Sequence, residues 1–197
     1  GLGYMFFYGI EQIFADPLSI LRIWEGGLSF HGGFIGVLIS FFIFSKKLNI
    51  GFFDLADHIA LAFPIGLGFV RIGNFLGGEL LGRPTDLPWG MIFWSDPLQI
   101  SRHPSQLYQA FFEGVVLFII LNLLVIKPKP KIFISGMFLA LYGSFRIFTE
   151  IFRMPDSHIG FDFLDIITRG QLLSTPMVII GLLLIFLSYR NKNETIS

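Results

Sequence analysis

The sequence predicts an all-α, polytopic membrane protein, a transmembrane helix bundle of about five spans with a small extracytoplasmic head. Three observations carry that prediction. The 197 residues are 53% hydrophobic and 17% aromatic, with 25 phenylalanines, and only 14% are charged; a soluble domain carries about 25% charged residues. Five apolar stretches, 28–44, 54–75, 107–126, 132–148 and 172–189, approach the ~20 residues a span needs. The six lysines (Lys46, Lys47, Lys127, Lys129, Lys131, Lys192) fall at three places separated by pairs of spans. The positive-inside rule puts those three places on the cytoplasmic side. Net charge is zero, which gives no electrostatic case for nucleic acid. With no cysteine there is neither a disulfide nor a thiol nucleophile within the chain.

Residues 1–30 begin without an initiator Met or a basic leader, and the start reads as the middle of a longer protein. Asp16-Pro17 predicts a turn and helix start, and Trp24 with Gly26-Gly27 an interface-level loop. The stretch from Gly32 to Phe44 ends at Lys46-Lys47. The stretch from Asp54 to Phe75 carries Asp57, His58 and Pro64. Residues 77–104 are polar and proline-rich, and this segment is the expected head of a single transmembrane domain covering 1–197. Pro104 reads as the opener of the span that ends at Lys127-Pro128-Lys129-Pro130-Lys131. Ile132 to Phe148 spans back, 150–170 is polar, and Leu172 to Tyr189 spans last.

Four strings carry candidate chemistry. Arg71 and Asn74, three apart, share a helix face at the end of an apolar span, with Glu79 shortly after. Arginine's planar fork suits a phosphate; the competing reading is a cation snorkelling to the interface. Tyr142, Arg146 and Glu150 align at i, i+4 and i+8 inside another span. They are either a self-contained ion pair that locks packing or half of a two-arginine anion site. His31, before Gly32-Gly33, is a structural hydrogen-bonder or a proton acceptor near neutral pH. Downstream of Arg102-His103, Gln106, Gln109 and Glu113 form a polar stripe at i, i+3 and i+7, which reads first as interhelical hydrogen bonding. The four histidines make no metal motif, Ser105 has no G-x-S-x-G elbow, and Gly66-x-Gly68 lacks the third glycine of a dinucleotide loop.

Taken together, the strings Ser29-Phe30-His31-Gly32-Gly33, Arg71-Ile72-Gly73-Asn74-Phe75, Gly78-Glu79-Leu80, Gly82-Arg83, Arg102 to Tyr108, Tyr142-Gly143, Phe145-Arg146, Glu150, Phe152-Arg153 and Gly170 to Ser174 resemble the prolipoprotein diacylglyceryl transferase family in order and over nearly the whole chain. That resemblance implies a bundle of about seven spans, two of them before residue 1, in the bacterial cytoplasmic (inner) membrane. It implies transfer of the diacylglyceryl group of phosphatidylglycerol to the lipobox cysteine thiol of a prolipoprotein signal peptide, releasing glycerol phosphate, with no cofactor. It further implies catalytic roles for His31 as base, Arg71 and Arg146 as a phosphate clamp, and Tyr142, with His103 as second candidate base. Asn74, Glu79 and Glu150 would bind substrate alongside the arginines. Gly77 stands where the family usually has asparagine. A lipid or anion transporter using the same arginines gains no support, because the sequence shows no internal repeat. A non-catalytic scaffold is the third class.

Overall fold

The protein is represented by a computed structural model that describes residues 30–154, 161–163 and 167–192, with side chains at 35–154, 171–172 and 174–191. The features expected at Asp16-Pro17 and Trp24 lie outside the described residues, as does the side chain of His31. Among the described residues five helices follow in chain order: α1 (Phe30–Leu48), α2 (Phe52–Leu76), α3 (Ser105–Leu124), α4 (Phe133–Glu150) and α5 (Arg169–Lys192). They fall where the apolar stretches predict. Among the described residues three are long and apolar enough to cross a membrane: Phe52–Leu76, Ser105–Leu124 and Ser174–Asn191. The one pair of strands among the described residues is a short antiparallel pair, β1 (Phe161–Phe163) with β2 (Ile167–Thr168), inside the predicted polar loop, and isolated antiparallel bridges join Gly82 to Arg153 and Arg102 to Pro84 and Met91.

The chain divides into two compact units, 1–55 and 56–197. In the first, α1 runs on through Lys46 and Lys47 and closes at Asn49, whose φ of 55° ends the helix in the left-handed region. In the second, α2, α3 and α4 alternate in direction. The C-terminal ends of α2 and α4 therefore meet the N-terminal end of α3. At the opposite end Phe133 of α4 packs edge-on against Tyr189 of α5, with ring centroids 5.6 Å apart.

α3 is not a uniform rod. Between Gln109 and Leu117 it opens into a π-helical segment, Ala110–Val116. Gln109, Glu113, Leu117 and Leu121 are all 0% exposed. A step of four outruns a 3.6-residue turn, and the wider i→i+5 turns take up the difference. One buried face results, polar in its first half and apolar in its second.

Small residues let these helices approach. A Cβ on Gly114 would stand 2.9 Å from Cα of Gly68, so α2 and α3 cross backbone to backbone there. The α4–α5 seam uses Gly136, Ala140 and Gly143 against Gly181, Ser174 and Val178 in the same way. Van der Waals contact of this kind replaces the hydrophobic drive that lipid removes.

The start of α4 is capped from another helix. Asp57 of α2 accepts hydrogen bonds from the Ile132 and Ser135 amides, at 2.8 and 2.9 Å, and from the Ser135 hydroxyl. These are donors that no turn of α4 can satisfy. Ile132 holds a φ of 76°, a left-handed conformation that disfavours a β-branched side chain. Asp57→Ala should lower stability by about 1–2 kcal/mol, read as the thermal midpoint in detergent. Asp57→Asn should recover only part of it, since one amide oxygen replaces two carboxylate oxygens.

Residues 77–104 form a hydrogen-bonded loop rather than a helical element. Arg102 is buried and grips both oxygens of Asp96, Nε to Oδ2 at 2.7 Å and Nη2 to Oδ1 at 3.3 Å, while its Nη1 donates to the Gly82 carbonyl at 3.1 Å. Gly82 lies so close to His103 that a side chain there would collide with the His103 carbonyl. Backbone bonds from Arg83 to Phe152 (2.9 Å) and from Met154 to Leu81 (3.0 Å) tie the loop to the end of α4. The Arg102 hydrogen bond, with the Leu98 and Ile100 amides, holds the Asp96 carboxyl below its ordinary value of 3.8. A carboxyl with a depressed folded pKa stabilises fully above its unfolded value and loses that contribution as pH falls through the folded one. The melting temperature of the wild type should therefore exceed that of Asp96→Asn at neutral pH, and the gap should close on acidification below the ordinary carboxylate range.

Candidate functional site: a carboxylate between two arginines

Arg71 lies one turn from the Gly68–Gly114 crossing. Its neighbours Phe69, Val70 and Ile72 are exposed, Phe69 at 69%, while the Arg71 side chain retains only 12%. It does not snorkel outward. Its Nε donates to Oε2 of Glu113 at 2.9 Å, and Glu113 is completely buried. The close helix crossing beside Gly114 makes this reach possible, and the π turns aim Glu113 at it.

Arg146 comes to the same carboxylate from α4. Its Nη1 stands 4.0 Å from Oε1 of Glu113, and its Nη2 stands 3.8 Å from Oε2 of Glu150, with 16% of the Arg146 side chain exposed. Arg153 approaches Glu150 from the other side at 3.6 Å. Tyr142, buried on the same face of α4, interacts with Arg71 and with Glu113. Guanidiniums from two separate helices thus converge on one point. Neither of the separate readings of Arg71 and Arg146, snorkelling or a self-contained pair, describes this arrangement.

The cluster is tightly held on the Arg71 side and loosely held on the Arg146 side. Oε1 of Glu113, Nη1 of Arg146, Oε2 of Glu150 and both amide atoms of Gln109 are buried with no hydrogen-bond partner among the described residues. Orphaned polar atoms in an apolar surround are costly. Several of them together call for polar partners that the packing of the described residues does not supply. Arg71, Arg146 and Arg153 against Glu113 and Glu150 leave one positive charge in excess, which suits a monoanion.

The other predicted residues sit around this centre. Asn74 donates to Glu79 Oε2 at 3.2 Å, so these two engage each other at the end of α2, while Glu150 joins Glu113 in pairing with Arg146. Gly77 backs this pair, a Cβ there standing 3.2 Å from the Glu79 carboxylate. Gln106 donates to the Glu79 carbonyl at 2.6 Å, fastening the loop to α3. His103 belongs to an aromatic corner with Tyr108 and Phe152. Trp89 Nε1 donates to the Tyr108 hydroxyl at 2.8 Å, and the same hydroxyl shares a hydrogen bond with His103 Nδ1 at 3.1 Å. This relay gives His103 a structural position. His31 occupies the first turn of α1.

Glu113 is the residue sequence reasoning undervalued. Its polar stripe was legible, but nothing local to α3 shows that helices α2 and α4 both present arginines to it.

Comparison with known proteins adds an independent line. A family model described as prolipoprotein diacylglyceryl transferase matches residues 1–187. The chain is 52% identical over 191 residues to a phosphatidylglycerol–prolipoprotein diacylglyceryl transferase of Pseudomonas syringae pv. syringae, covering 96% of this chain and 71% of that one. A protein of the same name from Teredinibacter turnerae is 52% identical over 189 residues, covering 96% of this chain and 66% of its own. One from Pseudomonas putida is 51% identical over 193 residues, with 97% and 72% covered.

Proposed function

The chain belongs to the prolipoprotein diacylglyceryl transferase family, and on that premise we propose that it moves the diacylglyceryl group of phosphatidylglycerol onto the lipobox cysteine of a prolipoprotein signal peptide. The observation that carries the reading is the convergence of Arg71 and Arg146 on one carboxylate, with a surplus positive charge and unpaired donors beside it.

The peptide sulfur attacks the glycerol carbon that bears the phosphate. A carbon–sulfur bond forms as the carbon–oxygen bond to phosphate breaks, and the electron pair leaves on the phosphate of glycerol phosphate. Negative charge builds on that phosphate in the transition state, where two fixed guanidiniums in a dry site act most strongly. Tyr142 orients Arg71. Asn74, Glu79 and Glu150 complete the grip on the headgroup side. The nucleophile arrives on the substrate, in keeping with a chain that has no cysteine. A thiol of pKa ~8.5 needs a base, and His31 takes that proton. His103, with Nδ1 engaged by Tyr108, is the second candidate.

In this reading all five helices span the bacterial inner membrane and the lysine-bearing ends face the cytoplasm. Residues 77–104 form an extracytoplasmic head within one transferase domain. The test is an incubation of the membrane-embedded protein with phosphatidylglycerol labelled in its diacylglyceryl part and a lipobox peptide. The peptide should gain label in step with glycerol phosphate release, and a peptide with serine for cysteine should gain none. Glycerol phosphate released without peptide labelling would contradict the reaction.

A further inference from the structure

The proposed clamp accounts for the phosphate but leaves other atoms unexplained. Oε1 of Glu113 is an acceptor and Nη1 of Arg146 is a donor; both are buried, both lack a hydrogen-bond partner among the described residues, and they are 4.0 Å apart. One turn earlier on α3, Gln109 keeps an unpartnered donor and an unpartnered acceptor, and is itself 0% exposed. A phosphate oxygen satisfies only the donors, and beside Glu113 Oε1 it would be repelled. An ammonium satisfies only the acceptors, and Arg146 would repel it. A hydroxyl does both at once. An oxygen about 2.8 Å from each atom fits the 4.0 Å gap, donating to Glu113 and accepting from Arg146. The arginine side chains, 12% and 16% exposed, leave the approach open from that side.

We propose that Gln109, Glu113 and Nη1 of Arg146 form a hydroxyl-reading subsite that recognises the free glycerol headgroup of the lipid, beside the atoms that grip its phosphate. The inference rests on the transferase reading above. It assigns Glu113 two contacts: Oε2 holds Arg71 in place, and Oε1 reads the headgroup. A site that hydrogen-bonds a substrate hydroxyl rejects the analogue lacking it, because its own buried groups are then left unpaired.

The experiment compares phosphatidylglycerol with phosphatidyl-1-propanol, which keeps the diacylglyceryl phosphate and lacks headgroup hydroxyls. Transfer kinetics and equilibrium binding are measured for both lipids in the wild type, Glu113→Gln and Gln109→Leu. The wild type should favour phosphatidylglycerol at least about tenfold in kcat/KM and in binding. Glu113→Gln should bring that ratio toward one, on top of a loss common to both lipids from the loosened Arg71. Gln109→Leu should lower the ratio without the common loss. A wild-type ratio near one overturns the subsite even if neither variant folds. So does a Glu113→Gln protein that loses activity equally on both lipids. If the wild type turns over neither lipid, the transferase reading fails, and the binding ratio alone then decides the subsite.

Discussion

Arg146→Lys should reduce diacylglyceryl transfer about 10²- to 10³-fold, the scale of removing one preorganised donor from a transition-state oxyanion, while the protein still folds. The geometry explains why the loss falls on activity. Arg146 stands 4.0 Å and 3.8 Å from its two carboxylates and hydrogen-bonds to neither, so little stability depends on its fork. Lysine keeps the charge but presents a point cation in place of a planar pair of donors. Arg71 should behave differently. Its Nε is committed to a fully buried carboxylate at 2.9 Å. Arg71→Ala would take from Glu113 its hydrogen-bonded counter-ion and leave only the looser Arg146 at 4.0 Å, and breaking a buried pair from one side costs about 3–5 kcal/mol. Activity and thermal stability should fall together for Arg71→Ala, and separately for Arg146→Lys. Measuring both quantities on both variants checks the asymmetry. Equal melting temperatures for Arg71→Ala and the wild type would contradict it.

Gly114→Val should be nearly as damaging to activity, although the residue has no polar group to offer. A Cβ at Gly114 would meet Cα of Gly68 at 2.9 Å, and backbone on both sides cannot yield as a flexible side chain would. Helix α2 must then move away from α3 at the crossing next to the Arg71–Glu113 hydrogen bond. Overpacking of this kind costs about 1–3 kcal/mol; the larger consequence is a displaced Arg71, and misplacement by an ångström can cost ~10²-fold in rate. Gly68→Ala places its Cβ at 3.4 Å from Gly114, a tight but ordinary contact, and should be the milder change. The ordering Gly114→Val worse than Gly114→Ala, worse than Gly68→Ala, in both lipidation rate and melting temperature, is the expected result. Gly68→Ala matching Gly114→Val would show that the crossing does not set the site.

The helices were legible because apolar runs of span length stop at lysines and prolines, and α1 to α5 fall on those runs. The polar stripe Gln106, Gln109 and Glu113 was legible from spacing, and each member is fully buried. Four features had no local signal. Ala110–Val116 includes Gly114 and two valines, weak helix formers, but that composition does not single out the π turns that aim Glu113. Asp57 caps a helix whose start lies 75 residues away, a contact that only the side-by-side, parallel arrangement of α2 and α4 creates. The Gly68–Gly114 crossing joins two glycines unremarkable in their own segments. The i, i+3 spacing puts Asn74 on the face of Arg71, while its hydrogen bond to Glu79 arises where the chain doubles back after Phe75. The Asp57 cap and the Gly68–Gly114 crossing are long-range pairings, and periodicity reads only one helix at a time.

A structure of the protein with phosphatidylglycerol bound tests the central claim most directly. The lipid phosphate should lie within about 3 Å of guanidinium nitrogens from both Arg71 and Arg146, with Glu113 still holding Arg71 Nε. A phosphate that contacts only one of the two arginines, or lies in another part of the bundle, contradicts the account.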